Sequence, residues 1–329
     1  GVWARRTFVL TRAQAGRDAV LRWELIRWGF AARVNGALIG ATDVYSPGTF
    51  AIPRGLLREG TNDLLLAVRG WSSVPRGGPG GDPLMPVGAG LFSWGSKNSG
   101  VCAPVHIEFH DGVRIRSVIA RPDVEHMRCT FVVRLEPADS ESRSIDLSLK
   151  VFDPDGQPAA QTSVLAQCAG PDVVMIDAPI PGAKLWTPET PRLYSARAAI
   201  AGDGASDERD IAFGMRTFGS RDGHFVLNGA RRRLRGSNIL QEWNWGEDNF
   251  HNRDGCMSRY LGETARRMHA NTFRTHTGPP AEWIATLCDS NGTMLIAEMP
   301  LTYNGHDMRF SAADEAAYRS NAVAMCAAW

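Results

Sequence analysis

The residues best suited to chemistry lie in the last third of the chain, at or just after the ends of short strand-like runs. Amide and guanidinium groups hydrogen-bond to hydroxyls, and indole rings pack against the flat face of a pyranose. A set that combines these groups is typical of a sugar-binding site. Its six candidate substrate-binding residues are Asn238, Glu242, Trp243, Arg274, His276 and Glu298.

Each of these residues also has a purely structural explanation. Arg274 and Glu298 would form a structural ion pair as readily as they would contact a substrate. His276 fits an ordinary polar position at the end of a strand. Trp243 fits packing beneath a loop, and Glu242 fits a solvated loop charge. The residue types alone leave both interpretations open.

The segments that must position these residues alternate between strand-like and helix-like patterns after residue 213. Short β-rich runs predict strands, and apolar residues spaced by three and four predict helices. The predicted strands are 233–238, 271–276 and 293–298, and the predicted helices are 259–268, 281–289 and 312–329. This alternation predicts a parallel α/β unit.

A barrel is favoured over a doubly wound sheet, because no glycine-rich phosphate-binding motif follows any of the three predicted strands. In a (β/α)₈ barrel the functional side chains stand at the carboxyl ends of the strands and on the loops that follow. The six candidates occupy such positions. A doubly wound α/β enzyme of another type remains the lesser alternative.

The first two thirds of the chain are predicted to form two antiparallel sandwiches. From residue 6 to about 70, short strands alternate with tight turns, and Asn35-Gly36 predicts a type I′ hairpin. A glycine- and proline-rich stretch at 71–104 is interpreted as a loop that reaches a binding site or as a surface excursion. Between 112 and 213, strands recur at the spacing of an immunoglobulin-like sandwich.

Charge and composition narrow the class of partner. The 329 residues carry 36 Lys and Arg against 35 Asp and Glu, a formal net charge of +1, so neither nucleic acid nor an anionic membrane is a predicted partner. No apolar run is long enough to span a bilayer. The six cysteines lie far apart without zinc-ligand spacing, so they are predicted to be buried thiols.

A series of motifs adds information that spacing alone does not carry. Upstream these are Asn35-Gly36, Glu59–Asn62 and Gly100–Val105, and downstream they are Leu185–Tyr194, Phe213–Arg216, Asp222–Gly229, Leu234–Asn238, Asn271–His276, Leu287–Gly292 and Ile296–Glu298. In this order they resemble glycoside hydrolase family 2, which contains β-galactosidases, β-glucuronidases and β-mannosidases. The resemblance covers essentially the whole chain.

The resemblance implies a multidomain fold, mainly β plus α/β. Residues 1–111 would form a sugar-binding jelly roll that is incomplete at its amino terminus, and residues 112–213 an immunoglobulin-like β-sandwich. Residues 214–329 would form the first three β/α units of a TIM barrel. The implied activity is that of a retaining exo-β-glycosidase, which hydrolyses terminal β-linked sugars from oligosaccharides, polysaccharides or glycoconjugates. The implied partner is a carbohydrate substrate.

The family's catalytic glutamates follow the fourth and seventh barrel strands, so the resemblance implies that both lie beyond the three strands of this chain. No residue here is assigned a catalytic role, and the chain is expected to be inactive alone. The alternative is a non-catalytic carbohydrate-binding or assembly protein with a degenerate barrel. Asn238 is followed by Ile-Leu-Gln241, where many β-galactosidases and β-glucuronidases have a histidine, so the sugar and linkage are not implied.

No cofactor is predicted for the chain. Mg²⁺ assists some relatives, but no metal-ligand pattern in this sequence supports a magnesium site. The sequence leaves open whether the protein forms a homo-oligomer and in which compartment it acts.

Overall fold

The computed structural model describes most of the chain, and the described part is mainly β-structure. Its residues are 1–27, 29–42, 47–70, 100–101, 103–239, 256–275 and 280–298, with 315, 316, 319, 322, 323 and 326. Most of the predicted loop at 71–104 and of the predicted helix at 312–329 therefore lies outside the described residues. Within this described part, no helix is long and apolar enough to cross a membrane.

The amino-terminal region forms two antiparallel sheets that share one core. Its strands are β1 (Val2–Leu10), β2 (Asp18–Trp23), β3 (Ile26–Arg27), β4 (Phe30–Val34), β5 (Ala37–Thr42), β6 (Gly48–Ile52), β7 (Gly60–Val68), β8 (Gly100–Val101) and β9 (Val105–His110). One sheet has the order β1–β7–β4–β5 and the other the order β6–β2–β9. Trp23 lies in the shared core and contacts the rings of Phe30 and Phe50. A short helix, Arg12–Ala15, connects β1 to β2.

The predicted Asn35-Gly36 hairpin is confirmed. Both turn residues have positive φ, 47° and 86°, as a type I′ turn requires, and they join β4 to β5. The β-rich run at 19–26 does not form one continuous strand, because the chain changes partner within it. β2 ends at Trp23, and β3 pairs with β8 from Ile26 onward. The Leu25 carbonyl, in between, accepts a hydrogen bond from the Ala103 amide.

The middle region forms a second sandwich. Its strands are β10 (Val113–Asp123), β11 (Arg128–Pro137), β12 (Arg143–Phe152), β13 (Pro158–Cys168), β14 (Asp172–Pro179), β15 (Tyr194–Gly202) and β16 (Ala205–Phe213). One sheet has the order β10–β11–β14 and the other the order β13–β12–β15–β16. Alternate residues of β12 point into the core between these sheets, where Phe131 and Phe213 meet edge to face at 5.3 Å.

The sequence pattern does not predict two strands of this sandwich. β13 buries only its last residue, Cys168, and β16 buries only Ala205 and Phe213 at its ends. Apart from Val164, Leu165 and Ile211, the intervening residues are small, polar or charged, so no regular apolar alternation marks them. β13 pairs with β12, and β16 pairs with β15. Pairing with these neighbours therefore places both strands in the sheet.

The carboxyl-terminal region contains an antiparallel hairpin unit and a parallel sheet. The antiparallel strands are β17 (Phe218–Arg221), β18 (His224–Leu227) and β19 (Ala230–Arg232), and the parallel strands are β20 (Gly236–Ile239), β21 (Thr272–Thr275) and β22 (Met294–Ile296). Helical segments follow β20 and β21, so the described part contains two strand–helix–strand crossovers. Closure of this sheet into a barrel remains a prediction, as do the three domain boundaries.

The helix between β20 and β21 differs from its predicted form. It consists of an α-turn at Cys256–Arg259, a π-helix at Tyr260–Thr264 and a final turn at Ala265–Arg267. The wider π-turn changes the angular spacing of the side chains. Of the three apolar residues spaced by four and three in this segment, Leu261 and Ala265 are buried, whereas Met268 is 61% exposed and does not share their apolar face.

The helix between β21 and β22, Glu282–Asn291, runs two residues beyond the predicted range of 281–289 and ends before Gly292. Gly292 caps it in the left-handed conformation at φ 75°, and its amide donates to the Cys288 carbonyl. A β-carbon at Gly292 would lie 2.2 Å from the Pro188 carbonyl oxygen. Close packing and backbone conformation therefore both require glycine at this position.

The prediction that the cysteines are buried holds for three of the four with a described environment. Cys129, Cys168 and Cys288 are buried, and burial raises the pKa of the Cys129 and Cys288 thiols to about 12. Those two thiols are therefore protonated at neutral pH and poorly reactive. Cys326 is exposed, because it lies on the same helical face as the exposed Glu315 and Arg319.

The two sandwiches are joined through the buried carboxylate of Asp18 on β2. Asp18 pairs with the Arg54 guanidinium and accepts a 2.9 Å hydrogen bond from the Gly112 amide, just before β10. The Arg54 and Gly112 hydrogen bonds hold the pKa of Asp18 below its usual value, although burial acts in the opposite direction. The ionised form of Asp18 is therefore favoured by folding.

Asp18→Asn should lower the free energy of unfolding at pH 7 by about 2 kcal/mol, because a charged, buried hydrogen-bond acceptor is lost. The native pKa of Asp18 lies below the usual 3.8, so this stabilisation is present above pH 3.8 and is lost as the pH falls through the native value. Urea unfolding from pH 7 to pH 3 measures the difference from the parent protein. Asp146→Asn, at an exposed position on β12, is the control. A difference that stays constant with pH would contradict the assignment.

Gly236→Ala should strongly destabilise the parallel sheet. A β-carbon at Gly236 would lie 1.5 Å from the Thr272 carbonyl oxygen, so β20 and β21 would have to separate. We expect a loss of about 3 kcal/mol or more in urea unfolding. Gly219→Ala on β17 is the matched control, because nothing lies within 4 Å of the added carbon there. Equal stability of the two variants would show that the β20–β21 contact is not required.

Candidate functional site

Three of the six candidate residues meet at one edge of the parallel sheet. Asn238 lies on β20, Arg274 on β21, and Glu298 two residues after β22. Asn238 and Arg274 are direct partners in the parallel register, and Arg274 is the partner of Ile296. The carboxyl ends of parallel strands therefore bring these side chains together, as the sequence predicts.

Alternate side chains along the strands place this site and the neighbouring hydrophobic core on opposite faces of the sheet. Ile239, Phe273 and Leu295 occupy the intervening positions and pack with Ile284 and Cys288 of the helix Glu282–Asn291. Successive side chains in a strand point to opposite faces. Asn238 and Arg274 therefore lie on the face directed away from this helix.

Arg274 is the centre of the polar cluster. Its Nη2 donates to Glu298 Oε1 at 2.8 Å, and its Nη1 lies 3.4 Å from Asn238 Oδ1. The first contact is a short charge-assisted hydrogen bond, and the second is at the long limit for one. The side chains of Arg274 and Glu298 are 39% and 23% exposed, so solvent reaches both. The pair is thus fixed in geometry but accessible to a ligand.

A residue absent from the six candidates holds the third strand in place. Thr275 is fully buried, and its hydroxyl accepts a 3.1 Å hydrogen bond from the Glu298 amide. This contact positions the chain where it leaves β22. A threonine in a strand carries no sequence signal for this role. Of the six candidates, Glu242, Trp243 and His276 lie outside the described residues.

The helix that packs behind Arg274 is held at its carboxyl end by Trp186, from the segment between β14 and β15. The Trp186 side chain is fully buried, and its Nε1 donates to the Asp289 carbonyl at 2.8 Å. Arg216 stacks over the indole at 4.8 Å and lies 3.4 Å from the Asp289 carboxylate. In return, Asn228 donates to the Trp186 carbonyl at 3.0 Å. The backbone and side chain of Trp186 thus join the segment after β14 to the hairpin unit and to this helix.

The amino end of the same helix is held by an ion pair with β2. Arg22 donates to Glu282 at 2.8 Å and to Glu108 at 3.3 Å. Burial raises the pKa of the nearby Glu24 carboxyl, and the negative charge of Glu282 adds to the increase. The first sandwich thus fixes the first residue of the helix through Arg22.

One known protein family matches the second sandwich. The family described as "Glycosyl hydrolases family 2" matches residues 113–216. These residues include all of β10 to β16 and end at Arg216, which stacks on Trp186.

Curated relatives extend the similarity beyond this region. The chain is 24% identical over 312 residues to the beta-galactosidase BoGH2A of Bacteroides ovatus, which covers 90% of this chain and 34% of that protein. It is 25% identical over 177 residues to a beta-galactosidase of Thermoanaerobacterium thermosulfurigenes, covering 52% of this chain and 24% of that protein. The chain therefore spans about a quarter to a third of these relatives.

Solved structures share the fold over almost the whole chain. A beta-glucuronidase from Bacteroides uniformis, bound covalently to cyclophellitol-6-carboxylate aziridine, has a TM-score of 0.77 at 19% identity, and the match covers 99% of this chain and 39% of that one. A glycosyl hydrolase family 2 member from Bacteroides cellulosilyticus has a TM-score of 0.80 at 17% identity and covers 99% of this chain and 41% of that one. At these identities the likeness concerns the fold alone.

Trp186→Phe should lower the free energy of unfolding by about 2 kcal/mol. The ring is retained, but the Asp289 carbonyl loses its buried donor and part of the indole volume becomes a cavity. Urea unfolding gives the difference. Trp3→Phe is the matched control, because Trp3 is 70% exposed, and it should change the stability by less than about 0.5 kcal/mol. If the two variants are equally stable, Trp186 does not join these elements.

Proposed function

Because the chain belongs to glycosyl hydrolase family 2, we propose that it forms the non-catalytic part of a retaining exo-β-glycosidase that releases terminal β-linked sugars. Its substrate would be a carbohydrate chain or glycoconjugate. In this proposal the parallel sheet is the beginning of a catalytic barrel, and the carboxyl ends of β20, β21 and β22 face the terminal sugar.

One observation carries the proposal. Asn238, Arg274 and Glu298 come from three adjacent parallel strands and lie together at the strands' carboxyl ends. In barrels of this kind the functional residues occur at that end. The partial exposure of Arg274 and Glu298 leaves room for a ligand, which a buried structural ion pair would not.

The chemistry of the cluster suits the hydroxyl groups of a sugar. A guanidinium has five N–H donors in a rigid fork, and contacts to Glu298 and Asn238 use only part of that set. The long Asn238 contact would be exchanged for shorter bonds to a sugar hydroxyl. Glu298 keeps the guanidinium plane fixed and accepts from hydroxyls, so it would act in orientation and charge balance. Glu242, Trp243 and His276 would complete the pocket.

The reaction itself needs two further carboxyl groups. A retaining glycosidase places them about 5 to 5.5 Å apart across the scissile bond, one as proton donor and then base, the other as covalent nucleophile. We propose that both lie outside these 329 residues. The chain would then bind and orient the sugar, while the remainder of the longer enzyme would supply the bond-breaking groups.

Arg274→Ala, introduced into the longer enzyme, should lower kcat/KM for an aryl β-glycoside by about tenfold or more, because donors to the bound sugar are lost. Arg274→Lys keeps the charge but not the fork, so it should restore little of the activity. Steady-state kinetics with a panel of aryl β-glycosides measures both variants, and urea unfolding is run beside them.

The control is Arg267→Ala, because Arg267 is 81% exposed on the neighbouring helix and should leave kcat/KM unchanged. An Arg274→Ala variant that loses stability but keeps kcat/KM would assign the ion pair a structural role only. Turnover by the 329-residue chain alone would contradict the placement of the catalytic pair. Sugar binding without turnover by the longer protein would favour the non-catalytic binding protein.

A further inference from the structure

A second cleft lies away from the parallel sheet, where the two sandwiches approach each other. It encloses about 400 Å³ and is lined by residues of β2, β6, β10, β11 and β16, by Glu282 at the start of the helix Glu282–Asn291, and by Arg319 and Val323. The lining residues used here are Thr49, Arg116, Ser117, Arg134, Arg209 and Asp210. None of the six belongs to the cluster of Asn238, Arg274 and Glu298.

The acidic groups that line this cleft in the described part of the chain are already engaged. Asp210 pairs with Arg197 at 2.7 Å, and Glu282 pairs with Arg22 at 2.8 Å. Arg209 also has a partner, Glu108, at 3.2 Å. The remaining positive charge of the cleft is therefore not neutralised by its own acids.

Arg116 and Arg134 carry this remaining charge. Neither forms an ion pair or a side-chain hydrogen bond with any residue in the described ranges. They lie on β10 and β11, which are direct neighbours. Two unpaired guanidinium groups on adjacent strands repel each other unless an anion lies between them.

The backbone places both arginines toward the same cleft. The register between β10 and β11 shifts between Ile115 and Ser117, so Arg116 is the extra residue of a β-bulge. Ser117 is directly opposite Arg134 in that register. Bulges redirect side chains and are frequent beside functional sites.

Ser117 supplies the independent observation of an unfilled polar site. The residue is only 7% exposed, and its Oγ is buried without a hydrogen-bond partner among the described residues. A buried hydroxyl that lacks a partner costs about 1 to 3 kcal/mol. This cost is recovered if a rotation about χ1 turns the hydroxyl toward the cleft, where it donates a hydrogen bond to a ligand.

The combination of two guanidinium groups and a hydroxyl donor matches an oxyanion. The cleft volume lies in the range of small-molecule sites, which exceeds the space that a bare ion needs. We propose that this cleft binds the carboxylate or sulfate group of an acidic saccharide between Arg116, Ser117 and Arg134. The site goes beyond the proposed function, since it lies on the sandwiches and requires neither catalysis nor the parallel sheet.

Isothermal titration of the purified protein with glucuronate and with glucose 6-sulfate tests the proposal, with glucose as the neutral probe and inorganic sulfate as the bare ion. At least one acidic sugar should bind saturably and more tightly than either sulfate or glucose. Arg116→Gln and Arg134→Gln should each weaken binding by about tenfold. The matched control is Arg121→Gln, an exposed arginine on the same strand outside the cleft, and it should leave the affinity unchanged.

Ser117→Ala separates a binding role from a structural one. Because the hydroxyl has no partner in the unliganded chain, this variant should keep or raise Tm without ligand and should weaken binding of the acidic sugar several-fold. A lower Tm with unchanged affinity would contradict the assignment of Ser117.

Arg274→Gln distinguishes this cleft from the proposed sugar pocket. If the acidic sugar binds in the cleft, the Arg274→Gln variant should bind it with the affinity of the parent protein. Loss of binding in Arg274→Gln with full binding in Arg116→Gln and Arg134→Gln would overturn the proposal in favour of the pocket. No saturable binding of either acidic sugar, or binding of sulfate alone, would overturn it as well.

Discussion

The hydrogen bond from the Trp186 indole to the Asp289 carbonyl is the contact on which the arrangement of the candidate site depends. The Trp186 side chain is fully buried, and its hydrogen bond fixes one end of the helix Glu282–Asn291 against the second sandwich. Arg22 from the first sandwich fixes the other end. A ten-residue helix is too short to be stable by itself, so its position follows from these contacts. The two sandwiches therefore hold this helix in position against the parallel sheet.

A small apolar core connects the helix Glu282–Asn291 to the polar cluster. Ile284 and Cys288 of this helix pack with Phe273, the residue before Arg274, and with Leu295 on the adjacent strand. Movement of the helix would displace both strands and change the 2.8 Å contact between Arg274 and Glu298. Interiors are close-packed, so such displacements are transmitted rather than absorbed. The two sandwiches thereby contribute to the geometry of the polar cluster.

Local patterns in the sequence predict the features that depend on local physics. The Asn35-Gly36 turn, the Gly292 helix cap and the strand carrying Arg274 all follow from turn, cap and periodicity rules, and the meeting of Asn238, Arg274 and Glu298 follows from parallel strand order. Contacts between distant residues are not predictable in this way. Arg22 and Glu282 are 260 positions apart, and no local pattern links them. β13 and β16 likewise depend on their neighbours, because their own residues bury little apolar surface.

The central claim is that the edge formed by Asn238, Arg274 and Glu298 faces the terminal sugar of a glycoside. A crystal structure of a longer protein that contains this chain, with an iminosugar bound, tests this most directly. The account predicts a hydroxyl of the ligand within about 3 Å of the Arg274 guanidinium, with the ion pair to Glu298 retained. An iminosugar bound elsewhere, with Arg274 and Glu298 covered by protein, would contradict it.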